Sequence, residues 1–349
     1  MSEKSSAHEL PIPAFFELGK VSEVWRVPYQ ERATQAREWA ERYAIEPASE
    51  DGFKICLALV DVQNTFCIPE FELFVGGRSG IGAVEDNQRL CQFIYRNLHR
   101  LTQVKATLDT HFTMQIFHPV FLIDAQGNHP DPYTLVRRQD LEQGRWCFNP
   151  AVGEMLGISA EYGQQHLEHY VKELEERQKF DLTIWPYHAM LGGVGHALVS
   201  SVEEAIFFHS LARYSQPDFA IKGRNPLTEH YSAVGPEVVV GPDGKKLAEK
   251  SQEFLQMVID FDAVILCGQA KSHCVAWTVS DLLAGIQAHD PSLAGKVYLL
   301  EDCTTPVVVP GAVDYTDMAE TEYQRFAKAG MHLVRTDLAL RDWPGIPSS

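Results

Sequence analysis

Six short apolar runs recur along the chain, at about 54–61, 103–108, 218–222, 262–267, 296–301 and 331–335. Between most of them the apolar positions change period. Over 84–100, Leu90, Phe93, Ile94 and Leu98 fall at helical spacing. Similar patterns cover 202–212, 251–259, 275–286 and 318–329. Strand-like and helix-like segments that alternate in this way predict a mostly parallel sheet with helices on both faces, a three-layer α/β/α domain.

Several of these runs end in chemistry. Asp61 closes the first, Lys222 the third, and Cys274 lies between the fourth and the helix-like stretch that follows it. In open α/β sheets the carboxyl ends of the strands form the site. A cysteine at a strand-to-helix turn has amides and a helix dipole that lower its pKa and hold an oxyanion. A carboxylate there can take the thiol proton and return it to a leaving group. A lysine can favour the thiolate and hold the carboxylate in place. Asp109 and His111 lie two apart at the end of the second run, and His188 follows Trp185, Pro186 and Tyr187. One carboxylate and two imidazoles with open positions suit Zn²⁺, Mn²⁺ or Fe²⁺. Cys56, Cys91, Cys267 and Cys303 sit in apolar or helical runs and read as inert small hydrophobes.

The motifs Asp61-Val-Gln-Asn-x-Phe66, Lys222-Gly223 and Gly268-x-Ala270-x-x-x-Cys274, in this order, resemble the isochorismatase-like cysteine hydrolases, and within that group the nicotinamidases. The resemblance covers roughly 53–336. It implies an Asp61, Lys222, Cys274 triad, a cis peptide bond at Gln269–Ala270, and an oxyanion site at the amides of Ala270 and Cys274. It also implies a metal site at Asp109, His111 and His188, with His118 as a further candidate ligand. Phe66 and Trp185 would sandwich a planar substrate, with Tyr231 beside them. The implied activity is release of ammonia from a small aromatic amide through a thioester on Cys274. Nicotinamide is the first choice of substrate, in NAD salvage, and a homo-oligomer is the implied assembly. Two alternatives stand beside it: hydrolysis of another small amide, carbamoyl or ureido compound, and a non-catalytic binding protein that retains the site. Isochorismate cleavage is disfavoured by the presence of Cys274.

Against a minimal member of that family the chain departs in two main places. Residues 1–50 form an N-terminal extension with an amphipathic-looking segment at 29–44, ahead of a hydrolase domain at 51–340. An insertion at about 120–180 opens with turn formers near Asp124 and Gly127 and continues as a charged helix over 159–179. Such insertions serve as lids or oligomer contacts. Residues 203–218 read as a shorter addition, and the tail from Asp342 as frayed.

Composition narrows the partners. Of 349 residues, 45% are hydrophobic, which is ordinary for a globular protein. The formal charge of −17 argues against nucleic acid and anionic membranes. No apolar run approaches the roughly 20 residues of a membrane helix, and the first residues lack the apolar stretch of a signal peptide. Seven scattered cysteines without a Cys-x-x-Cys pair point to a reducing cytoplasm. The expected partner is a small-molecule amide.

Overall fold

The computed structural model describes residues 9–311 and 313–348. Residues 1–8, the start of the expected N-terminal extension, lie outside them. All six apolar runs form strands of one parallel sheet: β1 (Ile55–Val60), β2 (Gln103–Asp109), β3 (Asp218–Lys222), β4 (Ala263–Gly268), β5 (Val297–Leu300) and β6 (His332–Val334). Their order is β6-β5-β4-β1-β2-β3. The chain starts in the middle, runs to one edge, and returns to the other side of β1. The topological switch point therefore falls between β1 and β4, where a ligand crevice is expected.

Side chains alternate across β1. Ile55, Leu57 and Leu59 join one hydrophobic core, and Cys56, Ala58 and Val60 join the other. The first core is closed by α2 (Gly82–Arg96) and α4 (Ser200–Arg213), the second by α5 (Glu253–Asp260), α6 (Ala276–His289) and α7 (Thr316–Lys328). Three layers result. Residues 203–218, read as an addition, largely belong to α4, whose Ala205, Phe208 and Ala212 are buried against the sheet.

The N-terminal segment is packed onto this domain. Its helix α1 (Tyr29–Tyr43) lies on α4, where Arg32 Nε meets Glu204 Oε1 at 2.6 Å with both side chains nearly buried. Phe15 and Phe16 pack against the Tyr95 ring of α2. The 120–180 stretch builds its own helix, α3 (Ala160–Glu176), whose Leu167, Tyr170, Val171 and Leu174 enter the second core. The tail is not frayed: Trp343 is 3% exposed and stacks on both Phe93 and Tyr298. An indole buried between two rings outweighs the disorder expected from the polar residues around it. No helix among the described residues is long and apolar enough to cross a membrane.

Candidate active site

Two glycines let the strand ends close on one another. At Gly268 (φ +122°) a Cβ would stand 2.0 Å from the Val60 carbonyl oxygen, so β4 and β1 approach as only glycine permits. At Gly223 (φ +85°) a Cβ would meet Asp109 Oδ1 and His111 Cε1, each at 2.8 Å. Gln63 then laces β1 to β2. Its side-chain amide donates to the Asp109 carbonyl and accepts the Asp109 N–H, both at 2.8 Å.

Lys222 is the hub. Its ammonium lies 2.9 Å from Asp61 Oδ2 and 2.9 Å from Asp109 Oδ1. Both are ion pairs at hydrogen-bonding distance. The same nitrogen donates to the His230 carbonyl at 2.7 Å and toward Cys274 Sγ at 3.7 Å. Thr107 holds Asp61 from the other side: its hydroxyl donates to Oδ1 at 2.6 Å and accepts the Asp61 amide at 3.0 Å. All of these groups are buried.

Burial without full pairing sets the proton affinities. Burial pushes the Asp61 carboxyl up, Lys222 opposes that, and Asp109 adds to it, for a net rise. For Asp109 burial acts upward too, but His111 and Lys222 outweigh it and hold the carboxylate well below its usual range. Burial works against the Lys222 ammonium, yet Asp109 and Asp61 keep it well above the ordinary lysine value. The Cys274 thiol departs from expectation. Burial raises it well above the usual cysteine value, with Asp61 and Asp109 adding to the rise and Lys222 only partly offsetting it. The helix-terminus argument gave the opposite sign. Cys274 sits one turn before α6, in the π-type turn Lys271–Val275, and faces two carboxylates. Burial and the two carboxylates therefore favour the thiol over the thiolate at the sulfur.

The Gln269–Ala270 peptide bond is cis. The turn is held by the His273 and Val275 amides on the Ala270 carbonyl (3.0 and 3.2 Å) and by the Lys271 amide on Thr305 (2.9 Å). None of these bonds uses the amide of Ala270 or Cys274.

Asp109, His111 and His188 bring one ligand atom each within 4.8 Å of one another. The Pro186 carbonyl lies 2.8 Å from His188 Nδ1, and the Gly223 carbonyl 3.3 Å from His111 Nδ1. A carbonyl only accepts, so His188 Nδ1 carries the proton and its Nε2 presents a lone pair. His111 Nε2 then faces Asp109 Oδ2 at 2.8 Å, with His188 Nε2 at 3.9 Å. Acceptors gathered in this way fit a cation between them. His118 is outside that group of three. Its ring centre lies 6.0 Å from that of His111 and 5.8 Å from that of His188, its Nδ1 bonds the Thr113 carbonyl, its buried Nε2 has no partner among the described residues, and burial lowers its pKa to about 4.

A cavity of about 220 Å³ opens on Cys274. Ala270, Asp109, His111, His188, Phe66, Trp185 and Tyr231 line it, whereas Asp61 and Lys222 stand behind its wall. Trp185 Nε1 donates to Glu229 Oε1 (2.8 Å) and to the Tyr231 hydroxyl (3.1 Å), which fixes the indole plane. Residues not singled out from sequence complete the lining: Phe71 and Glu72, Tyr133 of the 120–180 stretch, Glu229, His273, and Val307 to Val309. Glu229 and His273 lie within two residues of Tyr231 and Cys274, a signal that adjacency alone offered. The others come from loops with no chemical signature.

No protein-family model matches the chain, and no curated protein matches it. Solved structures do. A nicotinamidase/pyrazinamidase from Acinetobacter baumanii is 16% identical, with 82% of this chain and 99% of that one covered and a TM-score of 0.48. The yeast nicotinamidase is 18% identical over 80% and 99%, with a TM-score of 0.49. An N-carbamoylsarcosine amidase from Thermoplasma acidophilum is 14% identical over 82% and 99%, with a TM-score of 0.39. They are members of the group that the three motifs resemble. At such identities and scores the likeness bears no weight on substrate or mechanism, which rest on the residues above.

Proposed function

We propose that the protein is an isochorismatase-like cysteine amidohydrolase that releases ammonia from a small aromatic amide, nicotinamide first. The observation that carries this reading is one lysine ammonium shared by Asp61, Asp109 and Cys274, at the wall of a cavity that opens on the sulfur.

The substrate carbonyl sits at the Ala270 and Cys274 amides, which stabilise the charge that develops on its oxygen. Asp61, with its raised carboxyl, takes the thiol proton, and Lys222 steadies the resulting charge. The sulfur bonds to the carbonyl carbon. The C–N bond then breaks as Asp61 returns the proton to nitrogen, ammonia leaves, and a thioester remains. Asp61 next takes a proton from water, whose oxygen attacks the thioester and frees the acid. The sulfur recovers its proton from Asp61. Asp109, His111 and His188 would hold a divalent metal, Zn²⁺ first by the mix of imidazole and carboxylate, with Mn²⁺ or Fe²⁺ also suited. Such a metal supplies a Lewis acid to the substrate ring. Phe66 and Trp185 flank a flat ring between them.

A neutral amide fits better than a ureido acid. Among the described residues that line the cavity none is a lysine or arginine, so a substrate carboxylate finds no cationic side chain there. All seven cysteines are free, which supports a reducing compartment such as the cytoplasm.

The test is ammonia release from nicotinamide and a panel of small amides by metal-loaded protein, with Cys274→Ala as control. Turnover of nicotinamide that vanishes in Cys274→Ala supports the reading. Near-normal turnover by Cys274→Ala removes the nucleophile and the reading with it.

A further inference from the structure

The residues on either side of Ala270 are fastened to one neighbour, Thr305. Ahead of it, the Thr305 N–H donates to Gln269 Oε1 at 3.4 Å. Beyond it, the Lys271 N–H donates to the Thr305 carbonyl at 2.9 Å. The Gln269 N–H is held as well, on the Val60 carbonyl at 2.8 Å. Neither Gln269 nor Thr305 lines the cavity, whereas Ala270 between them does.

The far end of this clamp is Asp86 of α2. Gln269 Nε2 donates to Asp86 Oδ2 at 2.8 Å, with the two residues 1% and 2% exposed. The Thr305 hydroxyl bonds the same carboxylate. A backbone N–H only donates, so the Gln269 side chain has one orientation: Oε1 toward Thr305, Nε2 toward Asp86. Two glycines bring the parts into contact. A Cβ at Gly77 or at Gly82, where α2 begins, would stand 2.4 or 2.5 Å from the Thr305 methyl carbon. The charge at Asp86 is weakly matched. Arg89 at 3.0 Å is 38% exposed, and burial outweighs it in setting the proton affinity of the carboxyl. A fold gains little from a buried carboxylate paired in this way, so its use is sought in what it holds.

We propose that Gln269, anchored by Asp86, is a positioning residue that aims the Ala270 N–H at the oxygen of the carbonyl attacked by Cys274. The inference rests on the amidohydrolase reading and deepens it. It moves the support of one oxyanion donor out of the pocket and onto α2. Asp86 touches no substrate and acts only through the Gln269 side chain.

The experiment uses the metal-loaded full chain as wild type, Gln269→Met, Asp86→Leu, Asp86→Asn and the double variant Asp86→Leu/Gln269→Met. Three quantities are read: kcat and KM for nicotinamide, the inhibition constant of pyridine-3-carbaldehyde, and the rate at which iodoacetamide alkylates Cys274. The aldehyde takes the sulfur at its carbonyl carbon and the thiol proton on its oxygen, and it has no group to expel, so its affinity reports the oxyanion site. Alkylation displaces iodide at a saturated carbon and needs no such site. Deleting an oxyanion donor lowers kcat by about a hundred- to a thousand-fold, and misaiming one should lower it by about ten- to a hundred-fold. Gln269→Met and Asp86→Leu should each do so, with KM and the alkylation rate within about three-fold of wild type. The aldehyde should weaken by the same factor as kcat. The double variant should lose no more than about three-fold beyond the worse single one, because the two residues act in series. Asp86→Asn keeps an oxygen for Gln269 Nε2 and should stand between Asp86→Leu and wild type.

A kcat and an aldehyde affinity within about three-fold of wild type in Gln269→Met overturn the inference. So does a loss that moves KM and alkylation along with kcat, which marks general loosening, and so does an additive double variant. If Gln269→Met does not fold, the two Asp86 variants decide in the same terms. If wild type releases no ammonia yet takes up the aldehyde at Cys274, the proposed activity falls and the aldehyde series alone judges the clamp. If wild type does neither, the inference falls with the activity.

Discussion

Two buried ionic clusters, one reaching the segment before β2 and one at its carboxyl end, are built on different principles. Under the N-terminal segment, Arg213 forks onto Asp51 and also donates to the Glu46 and Leu101 carbonyls, while Arg32 meets Glu204, so each charge there is closely matched. At the strand ends, one ammonium serves two carboxylates, each 2.9 Å from it. The first arrangement is what a fold requires of charges it buries. The second leaves negative charge uncompensated beside a thiol, which a fold alone has no reason to keep.

Breaking each cluster at its cation should separate the two principles. Lys222→Met should lower turnover by about a thousand-fold or more, since it removes a member of a group that acts as a unit. It should also cost about 3–5 kcal/mol of stability by stranding two buried carboxylates. Arg213→Leu should cost a similar 3–5 kcal/mol in urea titration yet leave kcat/KM within about three-fold. Retained turnover in Lys222→Met would erase the contrast.

The uncompensated charge should also draw a cation. Zn²⁺ at about a hundred times its dissociation constant should raise stability by about 2.7 kcal/mol, seen as a thermal shift, and His188→Ala should abolish the shift. A shift that survives His188→Ala would put the ion elsewhere.

A smaller effect sharpens the comparison from outside both clusters. Burial raises Asp86 to about 6 from an ordinary 3.8, although Gln269 Nε2, Arg89 and Thr305 hydrogen-bond to it. The folded state therefore holds a proton that the unfolded chain has released between those values. Stability is full below the lower value and is lost as pH rises through the upper, by about 3 kcal/mol at roughly 1.4 kcal/mol per unit. Urea titrations at pH 4 and pH 7 should show this difference in wild type and lose most of it in Asp86→Asn.

Much of this was legible because it lay at strand ends. An apolar run marks its own limits, and Asp61, Asp109 and Lys222 each stand where such a run stops. The turn at Cys274 was equally marked, but the sign of its proton affinity was not. That sign depends first on burial and then on two carboxylates more than 160 positions away in sequence, both fixed only once the sheet has formed. The cavity walls were hidden for the same reason. Tyr133 and Phe71 line the cavity from separate loops, and neither carries a local pattern that separates a pocket residue from a surface one. Trp343 shows the reverse: a tail that reads as polar is held by a single indole. His118, at the right distance along the chain for a ligand, lies outside the group of three whose ligand atoms converge.

The lysine that bridges Asp61 and Asp109 also bears on engineering. A library that exchanges metal ligands to change substrate range will alter the charge that Lys222 has left for the sulfur. Variants scored by turnover alone would confuse lost coordination with a detuned nucleophile. Screening with a thiol-directed label alongside product formation would let the two centres be optimised as the single unit they form.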